Sequence, residues 1–522
     1  MNKIHRLLTL GLLLLPTALH AQVDTVSAAQ QRVDQVMDLI EQFYTETPDM
    51  NRLSEEAVRA MFKALDPHSI YIPAKDVERA NEGLQGNFEG VGISFQIVSD
   101  TIVVQSVIDG GPSEKVGLQV GDKLIRIDGQ PATGDSINNN FVFKRLRGKK
   151  GTVVELDILR QGTVYPFSIV RDKVPIYSVD TYFMADDTIG YIRLTRFART
   201  SVDEFRKALK ALQKQGMTAL ILDLRGNTGG FLDIAYTLAN EFLERGQLIV
   251  YQEGRRTPRQ DFRANGHGKF RKGRLVVLID EGSASASEIV SGAVQDWDRG
   301  TLVGRRTFGK GLVQRMFPLK DGGQVRLTTA RYFTPSGRCI QRPYSEGSDA
   351  YRDDLSQRYK RGELVNVDSI HFPDSLKYKT ASGRTVYGGG GVMPDLFVPM
   401  DTMRLSDYYI SLRGKGLLNS FPLNWADAHR RQPEVKTFEL FLQNYDSFGL
   451  DSLLAAHAIE KGIVRDAEKE AREPERTAHS DRYMALMLKA QVAKDLFGIE
   501  YYYKVMKDFD DAFLAALQHL RK

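Results

Sequence analysis

Ala219-Leu220-Ile221-Leu222-Asp223-Leu224-Arg225-Gly226-Asn227-Thr228-Gly229-Gly230 begins as an unbroken apolar run and ends as a glycine turn. A short run without alternation reads as a strand buried on both faces, and such strands belong to parallel sheets covered by helices. The flanking sequence supplies that cover. A strand over 191–194 and a helix over 201–215 precede the run. A helix over 232–243, a second buried strand over 275–279 and a helix over 288–297 come after it. Strand and helix alternate through this stretch, which predicts an α/β core with its loops gathered at the strand ends, where active sites commonly lie.

The chain of 522 residues is too long for one core and predicts several domains. Hydrophobic residues make up 42% and charged residues 26%, the balance of a globular protein. The net charge is +5, too small for a nucleic-acid footprint. Cys339 is the only cysteine, so no intramolecular disulfide and no cysteine-based zinc site can form. Neither a metal nor a cofactor is expected.

Lys3 and Arg6 precede an apolar run over 7–15, then Pro16 and small residues ending at Ala21. This is the layout of a cleaved export signal, with cleavage expected after Ala21. The run is shorter than the roughly 20 apolar residues that span a bilayer. The expected location is therefore periplasmic, in soluble form. Residues 22–85 form a helical lead, with Val33, Val36, Met37, Ile40, Phe43 and Tyr44 at helical spacing, and its helices close in the turn Asp66-Pro67-His68-Ser69.

Residues 86–172 change to short β-type runs bounded by Gly, Asp or Pro. Gly90-Val91-Gly92-Ile93 stands just before the first of them, and its glycines let successive N–H groups converge on an anion. Downstream come Gly110-Gly111-Pro112-Ser113-Glu114-Lys115-Val116-Gly117-Leu118 and Val120-Gly121-Asp122-Lys123-Leu124-Ile125-Arg126-Ile127-Asp128-Gly129. Together these resemble a PDZ domain. The resemblance implies a module that holds a chain's C-terminal carboxylate on Gly90, Val91, Gly92 and Ile93 and adds the peptide to a sheet edge. A PDZ-like fold used only for internal packing is the structural alternative.

Arg274-Leu275-Val276-Val277-Leu278-Ile279-Asp280 runs into Glu281-Gly282-Ser283-Ala284-Ser285-Ala286-Ser287-Glu288 and a helix. A small-residue elbow between strand and helix can present a hydroxyl beside free N–H groups. The serines could instead only cap the helix, Ser285 and Glu288 having capping-box spacing. A serine nucleophile needs a base, and none of the nine histidines stands in a strand-end motif of the α/β core. Lys310, in Thr307-Phe308-Gly309-Lys310-Gly311-Leu312-Val313-Gln314, is the other candidate. A lysine works as a base near pH 7 only if its pKa falls about 3.4 units, which burial can supply. Gln314, four residues on, can orient the amine only if the backbone there is coiled or helical. The turn at 223–230 lacks the ending of a phosphate-binding P-loop and can instead aim an N–H at a tetrahedral intermediate.

The PDZ block, 223–230, 283–288 and 308–314, with Gly388-Gly389-Gly390-Gly391-Val392-Met393-Pro394-Asp395 after them, stand in the order of the C-terminal processing peptidases, or tail-specific proteases, which this chain resembles over roughly residues 30–400. The resemblance implies a crotonase/ClpP-like α/β peptidase core over 173–400 with an inserted PDZ domain. It implies Ser285 as nucleophile, Lys310 as base and Gln314 as its holder, with Ser283 and Ser287 as fallback nucleophiles. It implies an oxyanion hole from Gly229 or Gly230 with Ala286, and a supporting role for Asp296. It also implies protein substrates taken by their C-termini, a homodimer or higher oligomer, and room for an adaptor protein. Two features depart from the family pattern, a long polar segment over 343–386 and a helical extension over 401–522. A non-catalytic periplasmic PDZ scaffold is the competing reading, and a crotonase-like acyl-CoA enzyme is hard to square with export.

Overall fold

The computed structural model describes residues 17–98 and 100–522. The apolar run of the expected export signal lies outside the described residues. At the centre of the α/β region is a six-stranded sheet, in the order Val179–Met184, Ile189–Leu194, Ala219–Asp223, Arg274–Ile279, Thr301–Gly304 and Leu396–Phe397. The first pair is antiparallel and every later pair parallel. Ile192, Leu222 and Val277 lie side by side in register, as do Tyr191, Ile221 and Val276. Successive residues of a strand face opposite sides, so each row belongs to a different core. The first packs under the helices Ser201–Lys214, Leu232–Ala239 and Ala286–Asp296, through Phe205, Leu209, Leu238 and Val290 among others. The second is covered by the last helix of the chain, Asp511–Arg521, through Phe513, Ala516, Leu517 and Leu520.

That last contact assigns part of the 401–522 extension. Helical spacing would put Met506, Phe509, Phe513, Leu517 and Leu520 on one stripe. The helix Ile499–Met506 instead ends, a 3₁₀ turn spans Lys507–Phe509, and Asp510 starts a new helix by accepting the Phe513 N–H at 3.1 Å. An N-cap acid satisfies an orphan amide and sets a new axis, which lets the eleven residues of this helix turn onto the sheet. The preceding helices form a core of their own around Tyr409, Leu412, Phe441, Leu454 and Leu488.

A second sheet flanks the first. The long strand Gln324–Phe333 pairs with Leu312–Pro318, with Leu248–Gly254 and with the short strand Ile70–Ile72. The N-terminal lead is thus woven into this second sheet by 70–72. Its two long helices, Thr17–Phe43 and Met50–Leu65, are unlike the rest, with Val36, Leu39, Phe43, Met61 and Leu65 exposed.

The strands of residues 93–170 form a separate sheet in the order Ile93–Val98, Thr101–Val107, Lys123–Ile127, Val153–Arg160 and Thr163–Val170. It closes over Ile102, Leu124, Ile127, Val142, Leu156 and Ile158. The chain enters and leaves this module along one antiparallel ribbon, Asn87–Gly90 against Asp172–Pro175. The polar segment 343–386 includes the helix Ser348–Lys360, whose buried Arg358 donates to the carbonyls of Thr307 and Phe308 at 2.8 and 3.1 Å. It therefore braces the loop that carries Lys310.

Candidate active site

The strand Ala219–Asp223 ends on a fully buried carboxylate. Asp223 accepts from the Tyr191 hydroxyl at 2.6 Å, from Arg193 at 2.9 Å and from the Arg225 side chain at 2.6 and 3.0 Å. Burial alone would raise its pKa; Arg225 and Arg193 outweigh it and hold the acid well below the usual carboxylate range. Arg225 also forks onto both oxygens of Asp510, the cap of the final helix, at 2.8 and 2.7 Å. The start of the glycine turn is thereby pinned from beneath.

Asn227, also fully buried, shapes the rest of the turn. Its amide donates to the Leu194 carbonyl at 2.8 Å, and its side-chain oxygen accepts the Gly229 N–H at 2.9 Å. This distinguishes the two glycines. Gly229 spends its N–H inside the turn, whereas the N–H groups of Gly230 and Ala286 have no partner among the described residues. What Gly229 contributes is space. With φ at +104°, a Cβ there would lie 2.9 Å from the Ser285 Cβ and 3.0 Å from the Ala286 nitrogen.

The serine elbow separates its three hydroxyls. Ser283 is fully buried and donates to the Leu224 carbonyl at 2.8 Å, and Ser287, equally buried, donates to the Asn227 carbonyl at 2.7 Å. Both are fasteners between the elbow and the glycine turn. Ser285 has φ +56° and ψ −110°, a region costly for a residue with a Cβ. Strand-to-helix elbows of this kind push a hydroxyl out of the sheet's top edge. Ser285 faces a cavity of about 270 Å³ that is also lined by Gly229, Gly230, Ala286, Lys310, Gln314 and Tyr332.

Two buried groups hold the serine and lysine loops together. The Glu288 carboxylate accepts the N–H groups of Ser285, Gly309 and Lys310 at 2.8, 2.7 and 2.8 Å and the Thr307 hydroxyl at 2.5 Å. The capping-box spacing of Ser285 and Glu288 is real, but the acid serves two loops at once. From the other side, the Tyr332 hydroxyl reaches the carbonyls of Ser285 and Lys310 at 3.0 and 2.7 Å. Sequence reasoning missed Tyr332 because it sits in mid-strand, with no local signal that it reaches across 47 residues.

Lys310 is flanked by Gly309, at φ +89°, and Gly311 in non-repetitive chain. Burial lowers its pKa to about 8, reinforced by Arg326 and opposed by Glu288 and Asp66. No hydrogen bond or ion pair ties its ammonium among the described residues. Gln314 lies on the strand Leu312–Pro318, not in a coil or helical turn. A β-bulge between Val313 and Gln314 re-aims it so that it shares the lysine's cavity. Its amide donates to the Thr328 hydroxyl at 3.2 Å.

Asp296 lies at the far end of its helix and does not line the cavity. It pairs with the fully buried Arg338 at 2.7 Å and accepts the Ser336 N–H at 3.0 Å. It is a scaffold group. One histidine does approach the lysine. His68, from the Asp66-Pro67-His68-Ser69 turn, sits 2.9 Å from the Tyr351 hydroxyl. Burial and the nearby Lys310 hold its pKa at about 4. Only the fold brings it there; the sequence places it 242 residues from Lys310.

In the inserted domain, Gly90 pairs with Asp172 in the entry ribbon, and Val91 is buried, its carbonyl accepting the Ser113 N–H at 2.9 Å. Gly92 has φ +83°, and its carbonyl accepts the Ile108 N–H at 3.0 Å. Ile93 then starts the edge strand of the sheet, leaving one side of that strand open.

Residues 188–346 match Peptidase family S41, residues 90–170 match the PDZ domain, and residues 408–498 match a family of unknown function. The chain is 34% identical over 397 residues to the carboxy-terminal-processing protease of Bartonella bacilliformis, covering 75% of this chain and 90% of that one. It is 34% identical over 313 residues to the carboxy-terminal processing protease CtpA of Bacillus subtilis, covering 60% and 66%. Among solved structures, the photosystem II D1 C-terminal processing protease matches with 28% identity and a TM-score of 0.37, over 70% of this chain and 87% of that one. With an S41 region built around a serine elbow, a PDZ insert and a relative matched over nine-tenths of its length, the chain belongs to the carboxy-terminal processing protease family and is a serine-type peptidase.

Proposed function

We propose that the protein is an exported endopeptidase that selects protein substrates by their C-terminal tails and cleaves them with a Ser285/Lys310 dyad. The observation that carries this reading is the meeting of a strained serine and a desolvated lysine at one cavity, with no other free hydroxyl in the elbow. With a pKa of about 8, roughly a tenth of Lys310 is neutral at pH 7, enough for a base. The neutral amine takes the Ser285 proton as the oxygen attacks the peptide carbonyl. The oxyanion forms against the N–H groups of Gly230 and Ala286. Lys310 then passes the proton to the leaving amine, and water, deprotonated by the same lysine, releases the acyl group from Ser285. The open edge at Ile93–Val98, beside the Gly90–Ile93 loop, supports capture of an extended tail as an added strand. Export rests on the charged and apolar start of the chain.

The test is cleavage of an unfolded protein ending in an apolar tail, with mass spectrometry of the products. Wild type should cleave it, and Ser285→Ala and Lys310→Ala should each lose at least about 10³-fold. Equal cleavage by all three would sink the dyad.

A further inference from the structure

The N-terminal lead does more than precede the peptidase: its Asp66 turn is wired to Gln314. Asp66 Oδ1 accepts the N–H groups of His68 and Ser69, each at 2.8 Å, and Oδ2 accepts the Ser69 hydroxyl at 2.6 Å. The Ser69 hydroxyl oxygen in turn accepts the Thr328 N–H at 3.0 Å. Asp66 and Ser69 are buried, and the turn is anchored by the pairing of Ile70–Ile72 with the strand that carries Thr328.

The polarity of this chain of contacts comes from donor and acceptor inventory. Asp66 Oδ1 already receives two backbone N–H groups, so it is an acceptor, and the Thr328 hydroxyl 3.2 Å away must donate to it. Thr328 has one proton to give. Having spent it, its oxygen can only accept from Gln314, so the Gln314 group facing it, at 3.2 Å, is the NH₂. The amide is then locked with its carbonyl oxygen on the opposite side. That oxygen makes no hydrogen bond among the described residues, and Gln314 shares a cavity with Lys310.

We infer that Asp66 and Thr328 are positioning residues of the peptidase, which set the orientation of the Gln314 amide so that its carbonyl oxygen accepts an N–H from Lys310 and turns the lysine's lone pair toward Ser285. This rests on the reading of Lys310 as the base. Were the relay reversed, the Gln314 NH₂ would face the lysine, repel its protons and compete for its lone pair. The charged groups around the amine are Glu288, Arg326 and Asp66, with His68 beyond. Asp66 therefore acts on Lys310 in two ways, by its charge and through the amide.

The experiment uses the full chain and a fluorogenic peptide it cleaves, with kcat, KM and the pH dependence of kcat measured for Thr328→Val, Thr328→Ser and Asp66→Asn, and with thermal melting of each. Thr328→Val keeps the side-chain shape and removes the hydroxyl. It should lower kcat about tenfold, leave KM within about twofold, and displace the midpoint of the acid limb of the pH profile. Thr328→Ser should restore both kcat and midpoint. Asp66→Asn keeps its Oδ1 against the His68 and Ser69 N–H groups and so keeps an acceptor for Thr328. It should hold kcat near wild type while the lost charge moves the midpoint down, and Thr328→Ala, assayed in the same way, decides the matter if the valine variant melts before assay. Wild-type kcat and pH profile in Thr328→Val, or equal losses in the valine and serine variants, would overturn the relay. Undiminished cleavage by Ser285→Ala in the same assay would instead remove the dyad on which it rests.

Discussion

The peptidase core and the PDZ insert treat charge in opposite ways. The core buries Asp223, Glu241, Glu288 and Asp296, each surrounded by donors. Among the described residues the insert buries one acid, Asp122, paired with Arg160 at 2.6 Å, and one arginine, Arg171, which donates to backbone carbonyls, and its hydrophobic core is aliphatic. A buried carboxylate is expensive, and replacing such groups by packed apolar residues often stabilises a protein. Where they persist, geometry is the return. Glu288 fixes four donors from two loops, and Asp223 fixes the root of the glycine turn, so Ser285 and Lys310 meet without either loop having regular structure. The PDZ loop needs no such scaffold, because its expected ligand is met by main-chain groups at a sheet edge.

The core is most sensitive at Gly229. Gly229→Ala places a Cβ against Ser285 and Ala286 at a backbone angle alanine avoids. We expect at least about a 100-fold fall in kcat/KM for every peptide, with the PDZ domain unaffected and tail-peptide binding at wild-type strength by fluorescence anisotropy. Glu288→Gln comes next. All four of its contacts donate to it, so an amide NH₂ there leaves at least one donor unpaired, costing about 2 kcal/mol. Expressed at the site, that is a loss of roughly 30-fold in kcat, measurable by steady-state kinetics.

The third effect is graded by pH. If Lys310 must be neutral, kcat/KM rises with pH, close to tenfold per unit on the acid side, and levels off above about 8. Stability has its own sign. The folded pKa lies below the ordinary 10.5, so between about 8 and 10.5 the unfolded chain holds more protons and stability increases with pH. The gain across that window is on the order of 3 kcal/mol from this group, and denaturant unfolding at about pH 7.5 and 10 of wild type and Lys310→Met would isolate it. The smallest effect belongs to the insert. Gly92 has φ +83°, and a Cβ would stand 3.2 Å from Pro112. Gly92→Ala should raise KM for a tailed protein about tenfold while leaving a short untailed peptide unchanged. Equal losses on both substrates would mean that the loop serves the core and not the tail.

The legible part of the site was the part encoded locally. The glycine turn, the serine elbow and the lysine between two glycines each announce themselves through neighbours a few residues away, because turns and helix starts are short-range chemistry. What stayed hidden depended on partners far along the chain. Three serines at 283, 285 and 287 look alike in sequence; burial and the carbonyls of Leu224 and Asn227 remove two of them. Gly229 and Gly230 are likewise interchangeable until Asn227 claims one N–H. Coiled or helical chain was the expected way to bring Gln314 to Lys310, and a bulge in a strand achieved the same end.

The α/β alternation, the insertion of a second β-rich module and the kind of nucleophile follow from local sequence alone. Apolar periodicity and glycine placement act over one element at a time, and one cysteine outside every motif left the chemistry to serine. Folding selects which serine is presented, which N–H groups are spare and how far the lysine is desolvated. It also decided that both ends of the chain serve the site, Asp510 beneath the glycine turn and Asp66 behind Gln314. Those outcomes turn on burial and on hydrogen bonds between residues up to 285 positions apart, and neither is visible until the chain has closed on itself.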